Sequence, residues 1–425
     1  SAVFAPFSNL GLIVIDEEQE HTYKSEMNPR YHARDVARFR CAYNNALLVL
    51  SSATPSIESY KNAVDGKYSF IKLTERYGKA VLPDVVTVDT TDTKGPISNE
   101  LYSALEECLE DNKQAILLMN RRGFNTFASC GACKTVLTCP NCSISLTYHN
   151  ANNRLMCHYC GHSQVFTDTC PECNEKAVRY AGFGTQRIEE ELQNVFPSAK
   201  ILRMDTDTTR KKGSYEAILE SFGKREADIL IGTQMIVKGH DFPNVTVVGV
   251  LLADLSLHGA DYMAAERTFQ LLTQAVGRAG RGAVPGGAVI QTYQPEHYAV
   301  KSAAVQDYEA FYELEIAYRD LMSYPPMSGM LAMLLQSADE NLLETEDEKI
   351  KQSILEMEIP LLCVTGPTAA TIAKLSDVYR RVIYLKHEDT KELYRVRNMI
   401  DEAVKNATFK EDYPEDLYNS CKDEF

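Results

Sequence analysis

The sequence lacks several features that define common protein classes. No run of about 18 apolar residues occurs in the 425-residue chain, so no segment is apolar enough to span a bilayer as a helix. The stretch Ser1–Leu10 has neither the basic flank nor the cleavage site of a secretory signal. Internal repeats and low-complexity segments are also missing. These absences indicate a globular protein without membrane contact, and we expect a cytoplasmic location.

The glycine-rich pattern Gly-x-x-x-x-Gly-Lys-Ser/Thr, whose backbone amides hold nucleotide phosphates, is absent as well. Its absence matters because a predicted buried strand, Leu10–Ile15, is followed by the acidic residues 16–18. Acidic residues in that position hold Mg²⁺ in phosphoryl-transfer sites. An acidic loop without a catalytic role is the alternative. We expect the chain to be a fragment that begins after a phosphate-binding loop.

Positive charge is scarce. The chain has 44 Lys and Arg against 59 Asp and Glu, which gives a net charge of -15. A protein that binds nucleic acid through bulk electrostatics is strongly basic, so this balance argues against that mode of binding. We therefore expect this chain to bind DNA only weakly, along a local basic path.

Cysteine, in contrast, is concentrated in one short region. Eight of the 12 cysteines form four Cys-x-x-Cys pairs. Because the chain is long and has no secretory signal, we interpret them as ligands of two structural Zn²⁺ ions rather than as disulfides. The spacing of the inner pairs favours a nested arrangement, and an interleaved one stays open. The nested sets are Cys130, Cys133, Cys170 and Cys173 (outer), and Cys139, Cys142, Cys157 and Cys160 (inner).

Alternating strands and helices predict an α/β lobe that handles nucleotides. A predicted strand, Asp228–Gly232, leads into the polar loop Thr233–Pro243 and a second strand, Val245–Leu252. The helix that follows is predicted to continue through Arg281. Arg278 would then lie on the same helical face as Arg281, where two guanidinium groups could converge on one anion. A solvated arginine pair at a helix C-terminus is the alternative.

The combination of these segments resembles the PriA family of replication-restart DNA helicases, a branch of helicase superfamily 2. Each helicase segment alone indicates only the superfamily, whereas the combination with the cysteine module is specific. The nested pairing is the known one in this family. The matching segments are Gly11–Glu18 (motif II), Ser52–Pro55 (motif III), Asn120–Phe124 (motif IV), Thr233–Pro243 (motif V) and Gln274–Arg281 (motif VI).

The resemblance implies an α/β fold built from RecA-like helicase lobes, the first partial and the second complete. A Cys-rich two-zinc module would be inserted in the second lobe, and a small α+β domain would follow it. The implied boundaries are 1–96 for the remainder of the first lobe and a linker, 97–128 and 182–300 for the two parts of the second lobe, 129–181 for the zinc module, and 301–425 for the C-terminal domain.

The resemblance also implies a nucleotide site between the lobes. Asp16 would coordinate Mg²⁺ and Glu17 would position the attacking water. Arg278 and Arg281 would reach the γ-phosphate. Gln19, in the position where the family has His, would complete the catalytic group. The implied nucleotide-binding residues are Gly239, Asp241 (to the sugar) and Gln274, and the implied DNA-binding residues are Arg121, Arg122, Thr233, Gln234 and Lys238.

Two departures from the family pattern stand out. Gln19 can donate and accept hydrogen bonds but, unlike His, cannot carry a charge. We expect it to couple ATP and DNA in an altered form. Leu252 occupies a position where the family usually has Asp, so this chain lacks a polar group there.

The resemblance further implies a parent protein that unwinds DNA 3′ to 5′ with ATP and Mg²⁺ and carries two structural Zn²⁺. It would restart stalled replication forks by recognising branched DNA and reloading the primosome. Its partners would be forked or single-stranded DNA, primosome and helicase-loader proteins, and single-stranded-DNA-binding protein. We expect this chain alone to be inactive. The alternative is a non-enzymatic zinc-ribbon module, binding protein or nucleic acid, on a degenerate α/β lobe.

Overall fold

The structure is a computed structural model. It describes residues 2–25, 30–73, 82–93, 95–120, 127–130, 132–133, 135–142, 146–149, 153–157, 160–181, 185–205, 208–209, 213–237, 242–254, 257, 261–280, 285–408 and 422–423.

The described chain forms strands and helices in the following order. The strands are β1 (Leu12–Asp16), β2 (Leu47–Ser51), β3 (Asp84–Asp89), β4 (Gln114–Met119), β5 (Phe127–Cys130), β6 (Thr147–His149), β7 (Arg154–Met156), β8 (Ser163–Val165), β9 (Val178–Ala181), β10 (Ile201–Met204), β11 (Ile229–Gly232), β12 (Val245–Leu251), β13 (Gly287–Thr292), β14 (Gly329–Ser337), β15 (Cys363–Leu375), β16 (Val378–His387) and β17 (Lys422–Asp423). The α-helices are α1 (Ala33–Asn44), α2 (Ile57–Val64), α3 (Asn99–Glu110), α4 (Thr185–Val195), α5 (Ser214–Gly223), α6 (Ala264–Val276), α7 (Tyr298–Ala304), α8 (Tyr308–Leu321), α9 (Glu340–Leu355) and α10 (Thr390–Thr408).

A six-stranded parallel sheet, ordered β10-β11-β4-β12-β13-β3, forms the second lobe. Its central strand β4 is buried at every position, as expected for a parallel strand with helices on both faces. Ile116 and Leu118 point to one core, with Phe222 of α5 and Phe269 of α6. The alternate residues of β4 point to a second core, beneath α3 and α4. The predicted α/β lobe is therefore confirmed.

The edge strand β3 differs from its prediction. The implied boundaries place it within residues 1–96, in the remainder of the first lobe and a linker, whereas β3 pairs with β13 in the sheet of the second lobe. Which strand β3 pairs with depends on long-range packing, so its partner was not apparent from the local pattern.

The first lobe is represented by the parallel pair β1 and β2 and by helices α1 and α2. Leu12, Val14 and Leu47 are 53%, 55% and 63% exposed, although parallel strands normally have both faces covered. Helix α2 is held differently, because its first residue, Ile57, is fully buried in the core of the second lobe. The helix therefore ties the first lobe to the second.

The zinc module is a five-stranded sheet with the order β8-β7-β6-β5-β9, in which neighbouring strands are antiparallel. Its core contains Ala128, Leu137, Leu146 and Leu155 together with most of the eight cysteines. Because the module lies in the chain between β4 and α4, both of its ends lead into the second lobe.

The C-terminal domain has the sheet order β15-β16-β14-β17, in which neighbouring strands are antiparallel. Helices α9 and α10 contribute Leu343, Ile354, Leu393 and Val396 to its core. Strands β15 and β16 form one long hairpin. The hairpin turns at Ser376 and Asp377, a pair without the glycine that usually marks such a turn.

The predicted end of helix α6 was wrong. The helix stops at Val276, so Arg278 lies in the turn after the helix and not on a helical face shared with Arg281. Gly280 adopts a φ of 68°, and a Cβ atom there would lie 2.4 Å from the backbone nitrogen of Gly286. The glycines therefore permit a close approach of two backbone segments, which diverts the chain from the helix axis.

The two lobes are joined by a buried cation. Arg319 of α8 is fully buried, and its guanidinium contacts Glu315 at 2.8 Å, Glu266 of α6 at 2.6 Å and Glu58 of α2 at 3.3 Å. It also donates to the carbonyl oxygen of Pro325 at 3.0 Å. Because Glu58 belongs to the first lobe and Glu266 to the second, one side chain neutralises acidic groups from both.

Glu266 makes a second link between the lobes. Its Oε1 accepts hydrogen bonds from the backbone N–H of Ile57, at the N-terminus of α2, and from Gln270, both at 3.1 Å. Burial raises the pKa of Glu266, and the neighbouring Arg319 opposes this effect by stabilising the charged form.

Among the described residues, no helix combines the length and the apolar character needed to cross a bilayer.

We expect Arg319→Met to lower the free energy of unfolding by about 3–5 kcal/mol, because the substitution leaves buried carboxylates without their cation. Urea unfolding followed by circular dichroism would measure the change. The matched control is Arg267→Met on the neighbouring helix α6, where Arg267 forms a partly exposed ion pair with Asp261. Such a pair contributes no more than about 1 kcal/mol. Equal losses in the two variants would contradict the linking role of Arg319.

Candidate functional site

The acidic segment after β1 lies at the carboxyl edge of the first lobe. Asp16 and Ser51 are the last residues of their strands and pair with each other, so the loops that follow lie side by side. Asp16 is exposed, and Glu17 is half-buried with a φ of 49° that turns the chain. The Tyr23 hydroxyl donates to the carbonyl oxygen of Asp16 at 2.8 Å, and burial, reinforced by the Asp16 carboxylate, raises the pKa of Tyr23.

Gln19 connects the two loops at this edge. Its Nε2 donates to Oε2 of Glu17 at 2.6 Å, and its Oε1 accepts a hydrogen bond from the Ser52 hydroxyl at 2.5 Å. The Ser52 oxygen in turn accepts from the backbone N–H of Thr54 at 2.9 Å. The buried Gln19 amide therefore donates towards the acidic segment and accepts from the Ser-Ala-Thr segment at the same time. A neutral amide is sufficient for both bonds.

The second lobe reaches the same carboxylate. Gln274 of α6 directs its Nε2 at Oε2 of Glu17, at 3.4 Å. The half-buried Arg278 lines a cleft of about 250 Å³ between the lobes, together with Glu17, Tyr23 and Gln274. The structure therefore brings together five of the predicted side chains, namely Asp16, Glu17, Gln19, Gln274 and Arg278.

Glu18 has a different role from its two acidic neighbours. It is buried and forms an ion pair with Arg34 at 2.7 Å. Its carboxylate also accepts from the backbone N–H of Ser56 at 2.6 Å and from the hydroxyl of Ser59 at 3.0 Å. Glu18 therefore anchors the N-terminus of α2 and does not line the cleft. The sequence did not distinguish it from Glu17, because three consecutive acidic residues carry no local signal of burial.

The network around Arg319 was also missed by sequence reasoning. Glu58, Glu266 and Glu315 lie on three separate helices, and an acidic residue on a helix usually indicates a solvated face. The spacing of Glu315 and Arg319, four residues apart on α8, is the one local signal of an interaction. Their complete burial follows only from how α6 and α8 pack.

Two predicted DNA contacts lie at the carboxyl edge of the second sheet. Thr233 follows β11 directly, and Gln234 begins a 3₁₀-helix that ends at Val237. Both predicted residues are half-buried, and Val237 lines the cleft beside Arg278. Their DNA-binding role stays a prediction. The predictions for Arg121, Arg122, Lys238, Gly239, Asp241 and Arg281 fall outside the described residues.

Leu252 adopts a φ of 54°. This left-handed conformation costs a residue with a bulky side chain about 1–2 kcal/mol, whereas Asp and Asn tolerate it better. The next acidic residue, Asp254, is buried and accepts a hydrogen bond from the backbone N–H of Tyr293 at 3.2 Å. Leu252 thus adopts a left-handed turn conformation that its bulky side chain disfavours.

The eight cysteines of the module form two groups of four, and within each group the sulfur atoms lie within 4.8 Å of one another. Adjacent sulfur atoms are 3.6 Å apart for Cys130 with Cys173, Cys133 with Cys170, and Cys139 with Cys160. Four ligands about 2.3 Å from a tetrahedral zinc would be separated by about 3.8 Å, whereas a disulfide would require about 2.05 Å. The residues therefore fit two structural zinc ions, and the nested arrangement is confirmed.

The thiols of the inner site have pKa values shifted in opposite directions. A backbone N–H from His162 lowers the pKa of Cys160 to about 7, whereas burial raises the pKa of Cys139 to about 12. Zinc binds thiolates, so a metal ion is needed to hold the buried Cys139 in its deprotonated form. Stability of this part of the module therefore depends on the metal.

We expect freshly purified protein to contain two equivalents of zinc by elemental analysis. Cys139→Ser should release the inner equivalent and retain the outer one, because the two ligand sets share no residue. The exposed Cys363, outside both sets, supplies the control Cys363→Ser, which should retain both ions. One equivalent or none in the unmodified protein would refute the assignment, as would loss of both ions from Cys139→Ser alone.

The chain matches two family models. Residues 139–164 match the PriA DNA helicase Cys-rich region (CRR) domain, and residues 164–283 match the helicase conserved C-terminal domain. Replication restart protein PriA of Bacillus subtilis is 45% identical over 410 residues, which cover 95% of this chain and 51% of the relative.

Two further relatives of the same name extend this similarity. The protein of a Synechocystis species is 41% identical over 405 residues, covering 91% of this chain and 48% of the relative. That of Treponema pallidum is 38% identical over 404 residues, covering 95% and 61%. The chain thus spans roughly half to three-fifths of the length of these curated relatives. The cysteine module, the helicase segments and this similarity along nearly the whole chain show that it belongs to the PriA family of replication restart proteins.

Proposed function

We propose that this chain is part of an ATP-dependent DNA helicase that acts in replication restart. The observation that carries the proposal is the meeting of two distant sequence segments at one carboxylate. Gln19 from the first lobe and Gln274 from the second both direct amide groups at Oε2 of Glu17, and Arg278 lines the same cleft. A carboxylate that positions water, with a cation from the opposite lobe, is the arrangement that phosphoryl transfer requires.

In this proposal each lobe supplies different catalytic groups. Asp16 would hold Mg²⁺ at the exposed edge, Glu17 would orient water, and Arg278 and Arg281 would stabilise the charge that develops on the γ-phosphate. Gly239 and Asp241 would contact the rest of the nucleotide. In this arrangement Gln19 transmits the state of Glu17 to the Ser-Ala-Thr segment through Ser52. The link requires hydrogen bonds and no charge, so Gln can replace His.

A complete first lobe would have to come from further chain. The apolar side chains of β1 and β2 are exposed, and the sequence contains no phosphate-binding glycine loop. Both observations agree with relatives that are much longer than this chain. We propose that added strands cover these faces and supply the phosphate loop. The five-part domain division stays part of this proposal, except that β3 belongs to the sheet of the second lobe.

The biological setting is proposed from the family. The complete protein would unwind DNA 3′ to 5′, recognise branched DNA at stalled forks and reload the primosome in the cytoplasm. Arg121, Arg122, Thr233, Gln234 and Lys238 would lie along one DNA strand. Primosome and helicase-loader proteins and single-stranded-DNA-binding protein would be its partners.

We expect no DNA-stimulated ATP hydrolysis by the 425-residue chain alone, because it has no phosphate-binding loop. The protein extended to the length of its relatives should hydrolyse ATP when single-stranded DNA is added. Phosphate release measured with and without DNA would compare the two. Hydrolysis by the short chain would contradict this expectation. Inactivity of the extended protein would instead favour the non-enzymatic zinc-ribbon module.

In the extended protein, we expect Arg278→Ala to lower ATP turnover by about 10³ or more, which is the usual contribution of an arginine finger. Nucleotide binding should change little, since the phosphate loop and the metal belong to the other lobe. Arg281→Ala should behave in the same way. Steady-state hydrolysis and binding of a fluorescent nucleotide would separate the two effects.

The matched control is Arg267→Ala, which removes a partly exposed arginine from helix α6 at a distance from the cleft residues. It should retain turnover. If Arg278→Ala hydrolyses ATP at a rate near that of the unmodified protein, the finger assignment is wrong. The two arginines would then be a solvated pair beyond the end of a helix.

A further inference from the structure

The long hairpin of the C-terminal domain reaches the zinc module. Strands β15 and β16 are joined by the two-residue turn Ser376–Asp377, in which both residues have positive φ angles, 51° and 64°. Leu375, just before the turn, packs against the buried residues of the module. One side of the hairpin tip therefore packs against the zinc module, while Ser376 and Asp377 stay exposed.

Three successive residues of one cysteine knuckle contact the tip. The Lys374 ammonium donates to the carbonyl oxygen of Pro140 at 3.3 Å, and the backbone N–H of Asp377 donates to that of Asn141 at 2.8 Å. The backbone N–H of Ser376 donates to Sγ of Cys142 at 3.2 Å. Cys142 belongs to the inner zinc set and is fully buried.

A hydrogen bond to a metal-bound thiolate has two effects. It withdraws charge from the sulfur, and it fixes the orientation of the side chain that carries the sulfur. In the outer set, the N–H group that donates to Cys130 comes from Ala132 in the same knuckle. The donor to Cys142 comes instead from a residue 234 positions away, in another domain. The geometry therefore distinguishes the inner site as one assembled by two domains.

We propose that the Ser376–Asp377 turn is a structural part of the inner zinc site and that it holds Cys142 in its metal-binding position. Retention of the inner zinc is then coupled to docking of the C-terminal domain. The hairpin makes none of these bonds to a ligand of the outer zinc, so retention of the outer zinc is independent of the hairpin. This inference rests on the zinc assignment and not on the proposed helicase activity.

The test uses Ser376→Pro in the full 425-residue chain loaded with zinc. Proline has no backbone N–H and cannot adopt the positive φ of this position, so the bond to Cys142 is lost. We expect one of the two zinc equivalents to pass to a chromogenic chelator about 10-fold or more faster than in the unmodified protein. The other equivalent should be released at its original rate.

Ser376→Gly is the matched control, because glycine keeps the N–H and favours positive φ. It should release zinc as the unmodified protein does. In a Cys139→Ser background, which retains only the outer ion, Ser376→Pro should have no effect on the remaining zinc. Unchanged release from Ser376→Pro, or equal acceleration of both equivalents, would overturn the proposal.

Hydrogen exchange of the unmodified protein provides a second measurement that needs no substitution. Coupling is reciprocal, so zinc bound at the inner site must protect the hairpin that holds it. Chelation of zinc should accelerate amide exchange in residues 374–378 and leave exchange in β14, at the centre of the same sheet, unchanged. Equal exchange of residues 374–378 with and without zinc would contradict the coupling.

Discussion

Helix α2 is held at its N-terminus by two carboxylates from two different lobes, and this constraint determines the geometry of the cleft. Glu18 of the first lobe accepts from Ser56, and Glu266 of the second accepts from Ile57. Arg34 neutralises Glu18 within the first lobe, and Arg319 neutralises Glu266 together with Glu58 across the lobes. A buried carboxylate without such a cation would cost several kcal/mol. Close apposition of the lobes at this point therefore depends on one buried arginine.

That apposition explains why Glu17 is reached from both sides. The Ser-Ala-Thr segment leads directly into α2. The hydrogen bonds that hold the N-terminus of α2 therefore also position Ser52, which hydrogen-bonds to Gln19. Gln274 lies on the same helix as Glu266, two turns further on, and points at Glu17. A shift of α6 relative to α2 would change the contacts of Glu17 and those of Ile57 together. Each bond that Gln19 makes in this relay needs only a neutral amide.

The zinc module and the C-terminal domain show the same use of contacts between distant segments. The module is inserted between β4 and α4, and its Cys139–Cys142 knuckle is hydrogen-bonded to the Ser376–Asp377 turn of the C-terminal domain. A set of four cysteines closes around zinc without help from elsewhere, since four thiolates satisfy a tetrahedral ion. The Ser376–Asp377 turn orients the Cys142 side chain and contributes no zinc ligand. Two small elements with limited cores, the module and the hairpin, thereby stabilise each other.

The sequence by itself determined what depends on neighbouring residues. Cysteine spacing predicted the two zinc sets, and apolar runs predicted β11 and β12 within one position at each end. The end of α6 at Val276 also has a local signal, because Gly277 lies at its C-cap. Tertiary structure alone decided the partners of Ile57, Glu58 and Cys142, which lie 209, 261 and 234 residues away. Local patterns report the intrinsic preferences of a segment, whereas the burial of a charge or the donor to a sulfur depends on which distant surface packs against it.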